Sequence, residues 1–359
     1  MLNNSTILVT GGTGSFGNTF VPMTLKKYNP KKIGFSDGLE GGYQYEIIRG
    51  SRASAILYNF LLSNDVKGKA LIPANICETV PAAYLKAGVD ICFCDIDFGT
   101  WLPDEKQIWA IIEENPDITV MHYNRTYGCE ANRERFFHEI HLKFPKVIIV
   151  DDRCLAIPFQ SGFAESDLVL YSTGKTKPVN VGKYAFGYLK RNFTYTEYSL
   201  EGDIVSCEKA FDDSIKYCHA YHTPADMKVM LSNWMNPKDV PDEDYYKKIE
   251  VEYNHIIEHK RKINSIYSVL PDVLPNEYQN WRFNILVSNQ EDCLKALFAA
   301  GLFASKHYMS LGNGYFSDVK TPSIDWLEAH VINLFNDNCY TEEMAYKTVD
   351  ILKKVAKRL

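Results

Sequence analysis

Leu168-Val169-Leu170-Tyr171-Ser172-Thr173-Gly174-Lys175-Thr176-Lys177 is the stretch on which the fold turns. Its apolar and aromatic opening reads as a short buried strand, which then breaks into small polar residues, a glycine and two lysines. Most lysines are solvated surface groups. A lysine set between this buried strand and another at Ala185 to Leu189, just beyond Gly182, reads instead as one held at a strand end. Upstream, Val147-Ile148-Ile149-Val150 is a further apolar strand, and it delivers two consecutive acids, Asp151 and Asp152.

Outward from these strands, short apolar runs alternate with amphipathic stretches. Helical spacing at Ala55 to Leu61 is followed by a strand at Ala70 to Ile72, a helix at Val80 to Ala87 and a strand at Ile91 to Ile96. A helix from Leu102 through Ile112, a strand at Thr119 to Tyr123 and a helix at Arg133 to Phe144 complete the approach. Such a rhythm predicts an α/β chain with a mostly parallel sheet. The polar, proline-bearing stretch from Asn236 to Glu243 reads as a break, followed by a long charged helix over Asp244 to Ile266. A strand at Trp281 to Val287, a helix at Asp292 to Ala300 and a final helix at Thr341 to Lys357 predict a smaller C-terminal domain. The expected division is 1–38, 39–235 and 236–359.

With 359 residues, 46% hydrophobic and 23% charged, the chain has the balance of an ordinary globular protein able to bury a large core. Its 45 acids against 39 bases give a net charge of -6 without a basic block, so nucleic acid is not an expected partner. The opening MLNNSTILVTGG lacks the basic segment and apolar length of a signal peptide, and no run is long enough to span a bilayer. Nine scattered cysteines without metal-type spacing fit a reducing, cytoplasmic setting and predict no metal site.

Ile7 to Thr10 followed by Gly11, Gly12, Gly14 and Gly17 is a strand running into a glycine-rich turn, the arrangement that brings backbone amides to a pyrophosphate; Asp37 stands where a ribose-binding acid is expected. Met1 to Ile33, with TGGTGSFG and YNPKK, resembles the opening of sugar-nucleotide 4,6-dehydratases of the extended short-chain dehydrogenase type. The likeness stops there. One βα unit buries too little to form a nicotinamide crevice, and the Tyr28 and Lys32 pair lies inside that unit. An incomplete Rossmann-like segment that binds no NAD is the preferred reading over an NAD site.

From about Glu46 to the C-terminus the chain resembles the DegT/DnrJ/StrS family of sugar aminotransferases, which use pyridoxal phosphate (PLP). The resemblance implies PLP-dependent transferase fold type I: a large three-layer domain with a mostly parallel sheet and a smaller C-terminal α+β domain. It also implies roles for residues. Arg49 to Ala55 matches the loop opening a helix against the cofactor phosphate, with Ser51 and Arg52 as ligands. Cys77 falls beside the pyridine ring, where many members carry an aromatic residue. Tyr127-Gly128 matches the Tyr-Gly at the mouth of the substrate pocket, after an extension at Tyr123 to Thr126. Asp152 is the partner of the pyridine nitrogen, and Leu155 stands where Gln or His meets the phenolic oxygen. Ser172 is the phosphate ligand, and Lys177 rather than Lys175 the Schiff-base lysine. Asp95 and Asp97 read as structural as readily as functional. His219 and His222 stand where a partner-subunit loop is expected; they read as substrate contacts or as ordinary structural or surface histidines.

The function implied is transfer of an amino group from glutamate to a nucleotide-linked keto-sugar by a homodimer, in surface polysaccharide or glycan biosynthesis. Three alternatives stay open. A PLP-dependent sugar dehydratase shares the fold but typically has His at the lysine position. An inert binding protein of the same fold would account for Leu155 and Cys77. An NAD-dependent sugar-nucleotide enzyme would need the N-terminal glycines.

Overall fold

The computed structural model describes residues 6–10, 32–36, 45–158, 165–198, 213, 241–314 and 319–359. Its contacts divide the chain into two units, Met1–Gln44 and Tyr45–Leu359. In the first unit β1 (Thr6–Thr10) and β2 (Lys32–Ser36) pair in parallel, Thr6 opposite Lys32. The glycine-rich turn and Asp37 lie outside the described residues.

The second unit is built on a seven-stranded sheet. Its strands are β3 (Tyr45–Gly50), β4 (Lys69–Pro73), β5 (Asp90–Cys94), β6 (Ile118–Asn124), β7 (Ile148–Asp152), β8 (Leu168–Ser172) and β9 (Ala185–Lys190), in spatial order β3-β9-β8-β7-β6-β4-β5. β9 runs antiparallel to both neighbours, and the other pairings are parallel. Parallel strands are covered on both faces, which is why β4, β7 and β8 read as nearly unbroken apolar runs. The cover includes α1 (Ala53–Ser63), α2 (Thr79–Lys86), α3 (Glu105–Glu114) and α4 (Glu134–Lys143). A continuous core runs from Ile56 and Phe60 through Leu71, Val120 and Ile149 to Phe137.

This topology sends the carboxyl ends of β3, β4, β6, β7 and β8 to one edge, where ligands bind in open α/β sheets. Register makes the point locally: Ala185 pairs with Ser172 on one side and Gly50 on the other, so the ends of β8 and β3 lie level. Asn124 at the end of β6 pairs with Asp152 at the end of β7.

Beyond the break, α5 (Tyr245–Tyr267), α6 (Gln290–Ala299) and α9 (Glu342–Val355) pack on a three-stranded antiparallel sheet of β10 (Phe283–Leu286), β11 (Ala304–Ser305) and β12 (Val331–Leu334). Ile263, Tyr267, Leu297, Ile332 and Leu352 form its own core. Between β11 and β12 come α7 (Leu311–Gly314) and α8 (Pro322–His330). Asp95, just past β5, caps α8 by accepting from the Ser323 and Ile324 amides at 2.9 and 3.1 Å. Asp97 accepts from the amides of Gly99 and Thr100 in a local turn. Both acids therefore have structural partners. Among the described residues no helix is long and apolar enough to cross a membrane.

Candidate active site

Successive strand residues point to opposite faces, and β7 ends by sending two carboxylates to two different environments. Asp151, fully buried, accepts from Arg125 Nε at 2.7 Å and Nη2 at 2.9 Å, and from Arg153 Nε at 2.8 Å. Burial alone would raise its pKa, but the two guanidiniums more than reverse this and hold it at about 2. Asp152 faces the other way. Its Oδ2 lies 3.2 Å from Nε2 of the fully buried His122, its Oδ1 accepts from the Cys154 amide at 2.9 Å, and His122 Nδ1 meets the Tyr84 hydroxyl at 3.0 Å. Here too burial acts to raise the pKa, and His122 with Cys154 lowers it below the ordinary carboxylate value. Asp152 is thus kept ionised at the carboxyl edge of the sheet.

β8 ends at Ser172, and the loop beyond it is tied down by Thr173. That hydroxyl is shared with the Lys183 carbonyl at 2.9 Å and with the Tyr245 hydroxyl at 2.7 Å. Lys175 is exposed and Lys177 half-buried. The Lys177 charge reaches the thiols of Cys77 and Cys154 and the imidazole of His307. Cys154 also feels the charge of Asp152, whose carboxylate accepts from its amide at 2.9 Å. Burial pushes both thiols up, which keeps them protonated.

The matched loop at Arg49 to Ala55 is shorter than expected. Arg49 and Gly50 belong to β3, leaving Ser51 and Arg52 before α1 begins at Ala53. A Cβ at position 50 would press into Ile56, so glycine is what lets the strand end meet the helix. The Arg52 side chain makes no cap bond to α1 and no acid stands in its first turn, unlike α3, where Asp104 caps the amides of Lys106 and Gln107. A helix start with no acid in its first turn presents partial positive charge to an anion.

Tyr127 is 1% exposed. Its hydroxyl donates to the His307 carbonyl at 2.6 Å, and its ring stacks on Trp281. It therefore braces the wall of the site and does not stand open at a mouth. The stretch before it also finds its place: Tyr123 and Asn124 finish β6, Arg125 pairs with Asp151, and Thr126 opens a tight turn through Gly128. Gly128 has φ +80°, and a Cβ there would overlap the Leu155 carbonyl. Leu155 packs its side chain against the core. His219 and His222 lie outside the described residues.

Several neighbours of the site have no counterpart in the sequence reading. His122 and Tyr84 carry Asp152. His307 and Tyr308 come from beyond β11, where Asn333 of β12 receives the His307 amide at 2.7 Å. Burial first, then the charges of Arg282 and Lys177, lower His307 to a pKa of about 4, so it is neutral near pH 7. Tyr308 stacks on Trp281 and feels Cys77 and Asp152. A histidine on the site face of β6, two residues from Asn124 in an otherwise apolar alternation, was a legible signal. No local signal marks His307 or Tyr308, which β11–β12 pairing brings in from far along the chain.

No protein-family model matches the sequence, and no curated protein matches it. Solved structures do. DesI, in the presence of its TDP-sugar product, is 15% identical with TM-score 0.64, over 86% of this chain and 80% of that one. A DegT DnrJ EryC1 StrS aminotransferase from Brucella abortus is 12% identical with TM-score 0.60, over 86% and 85%. A PLP-dependent aminotransferase from Bacillus cereus, named as putative, is 16% identical with TM-score 0.58, over 95% and 92%. The strand order with its one reversed strand, the helical cover and these likenesses together establish the fold as that of the PLP-dependent aminotransferases of fold type I.

Proposed function

We propose that this chain is a PLP-dependent aminotransferase that takes an amino group from glutamate and passes it to a keto-sugar carried on a nucleotide. The observation that carries the reading is a buried Asp152, held ionised by His122 and Cys154 at the carboxyl edge of a fold type I sheet, next to the strand β8 whose following loop bears Lys177. The residues suit the cofactor. Asp152 faces away from the arginines that bind Asp151, and the ends of β3, leading into α1, and of β8, at Ser172, lie level on either side of β9. Among the described residues, Asn75 Oδ1, Asn124 Oδ1 and His307 Nδ1 are buried polar atoms with no partner, as expected of a region shaped for a polar ligand.

When bound, PLP supplies an electron sink for the pair left as a Cα–H bond breaks. Asp152 would hold a proton on the pyridine nitrogen, and the hydrogen bond from His122 keeps its carboxylate ionised for that task. Lys177 would be the residue to hold the cofactor covalently, and its amine would be the base for the proton at the substrate Cα. Ser172, Ser51, Arg52 and the first amides of α1 would hold the phosphate. A Cys77 thiol in the place of an aromatic ring covers less of the pyridine face.

DesI is named with a TDP-sugar product, which supports a nucleotide-linked sugar as substrate here. A homodimeric, cytoplasmic enzyme of polysaccharide or glycan biosynthesis fits the same reading, with a body at 39–235, a smaller domain at 236–359 and an N-terminal dehydratase-like segment. Mixing the PLP-loaded protein with glutamate is expected to bleach its visible band and release one 2-oxoglutarate per site. A nucleotide-linked keto-sugar, but not the free sugar, should restore the band. A band that no amino acid bleaches would overturn the proposed activity.

A further inference from the structure

The loop that carries Lys177 is held from outside its own strand pair. Thr176, a β-branched residue, has φ +68°, a region that L-residues rarely adopt and that persists only where the surroundings enforce it. Within the loop, Lys177 has a backbone bond to the Gly174 carbonyl at 3.2 Å. The Thr176 carbonyl accepts from Trp281 Nε1 at 2.7 Å. Trp281 comes from the segment leading into β10 of the small sheet and is 5% exposed. Its indole lies parallel to Tyr127 at 6.4 Å and to Tyr308 at 6.1 Å, interplanar angles 10° and 17°. Its carbonyl accepts from the buried Lys260 Nζ at 2.9 Å, and Lys260 is itself fixed to Asn336 Oδ1 at 2.6 Å. An indole anchored by ring and by backbone has no freedom to follow the loop. The loop is therefore fixed to the indole.

We propose that Trp281 is a positioning residue for Lys177, its indole N–H clamping the Thr176 carbonyl so that the following lysine amine is aimed into the site. The inference rests on Lys177 being the cofactor-bearing lysine. It also gives the small sheet a part in the chemistry of the large one, since a side chain of the former sets the backbone next to the reactive amine of the latter.

Two variants separate the donor from the ring: Trp281→Phe, and replacement of Trp281 by 3-benzothienylalanine, which keeps size and stacking and loses only the N–H. Without cofactor, hydrogen–deuterium exchange of the peptide spanning 174–178 is expected to speed up about five- to tenfold in both, with β8 and β9 unchanged. With PLP added, a borohydride-fixed pyridoxyl mark should appear on Lys177 more slowly by a similar factor. Thr176→Gly, which takes a positive φ freely, should restore most of the labelling rate in the Trp281→Phe background. Unchanged exchange and labelling in the benzothienyl variant would overturn the proposal, as would a loss that Thr176→Gly fails to rescue. Faster exchange with no mark on Lys177 even in the unsubstituted protein would support the clamp and remove the PLP assignment instead.

Discussion

Asp151 and Asp152 are neighbours in sequence, both buried and both held ionised, yet the two faces of β7 use them differently. On one face Asp151 sits between Arg125 and Arg153, and the Arg125 guanidinium in turn lies over the rings of Tyr123 and Phe137. Two guanidiniums bind the carboxylate through three charge-assisted bonds and lock it into an ion-pair cluster. On the other face Asp152 meets the His122 imidazole and the amide and thiol of Cys154, and no guanidinium. Identical chemistry thus serves an ion-pair cluster on one side and the candidate site on the other, according to which donors surround it.

Asp152→Ala should produce the largest effect. The glutamate half-reaction is expected to slow about 10⁴-fold, roughly 5 kcal/mol in the barrier, while the pyridoxyl mark on Lys177 still forms. Stopped-flow absorbance would check this, and a loss of less than tenfold would place Asp152 with Asp151 as structure. Asp151→Ala should do the reverse. Leaving two buried guanidiniums without their carboxylate is expected to cost roughly 3–5 kcal/mol in urea unfolding. An Asp151→Ala protein as stable as the parent would erase the contrast between the faces.

Acid sharpens the comparison further. Asp151 has a pKa of about 2 in the folded protein against 3.8 unperturbed. A depressed folded pKa stabilises above the unfolded value and loses that contribution as pH falls through the folded one. About 2 kcal/mol should therefore disappear between about pH 4 and pH 2. Asp152 is shifted in the same direction. Unfolding measured at pH 5, 3.5 and 2.5 should show a shallower acid slope in Asp151→Asn than in the parent, and equal slopes would contradict the ion-pair account. The smallest effect is expected from Tyr84→Phe. It removes the partner of His122 Nδ1, costs about 1 kcal/mol of stability and slows the half-reaction a few-fold through a less firmly held imidazole.

Local pattern made much of this fold legible. The apolar runs at β4, β7 and β8 and the helical spacings of α1 to α4 were readable because each lies within a few residues. Elements defined by distant partners were not. β3 at the sheet edge leaves Glu46 and Ile47 exposed and lacks a clean alternation. β11 is only two residues long, and α8 takes its capping carboxylate from Asp95 rather than from a residue beside it. The candidate site divides in the same way. Asp152 and Ser172 stand at strand ends that sequence alone marks, and Lys177 lies in the loop just beyond β8. His307, Tyr308 and Trp281 reach the site only through the pairing and packing of the small sheet, so no short motif announces them. Tyr127 resembled a pocket residue in its Tyr-Gly pair, but burial turned its hydroxyl to the His307 carbonyl.

The most direct test of the account is to load the protein with PLP, reduce it with borohydride, digest it and locate the modified lysine by mass. The account predicts a visible band that disappears on reduction and a single pyridoxyl mark on Lys177, with Lys175 unmodified. A mark on any other lysine, or no band and no mark, would contradict it.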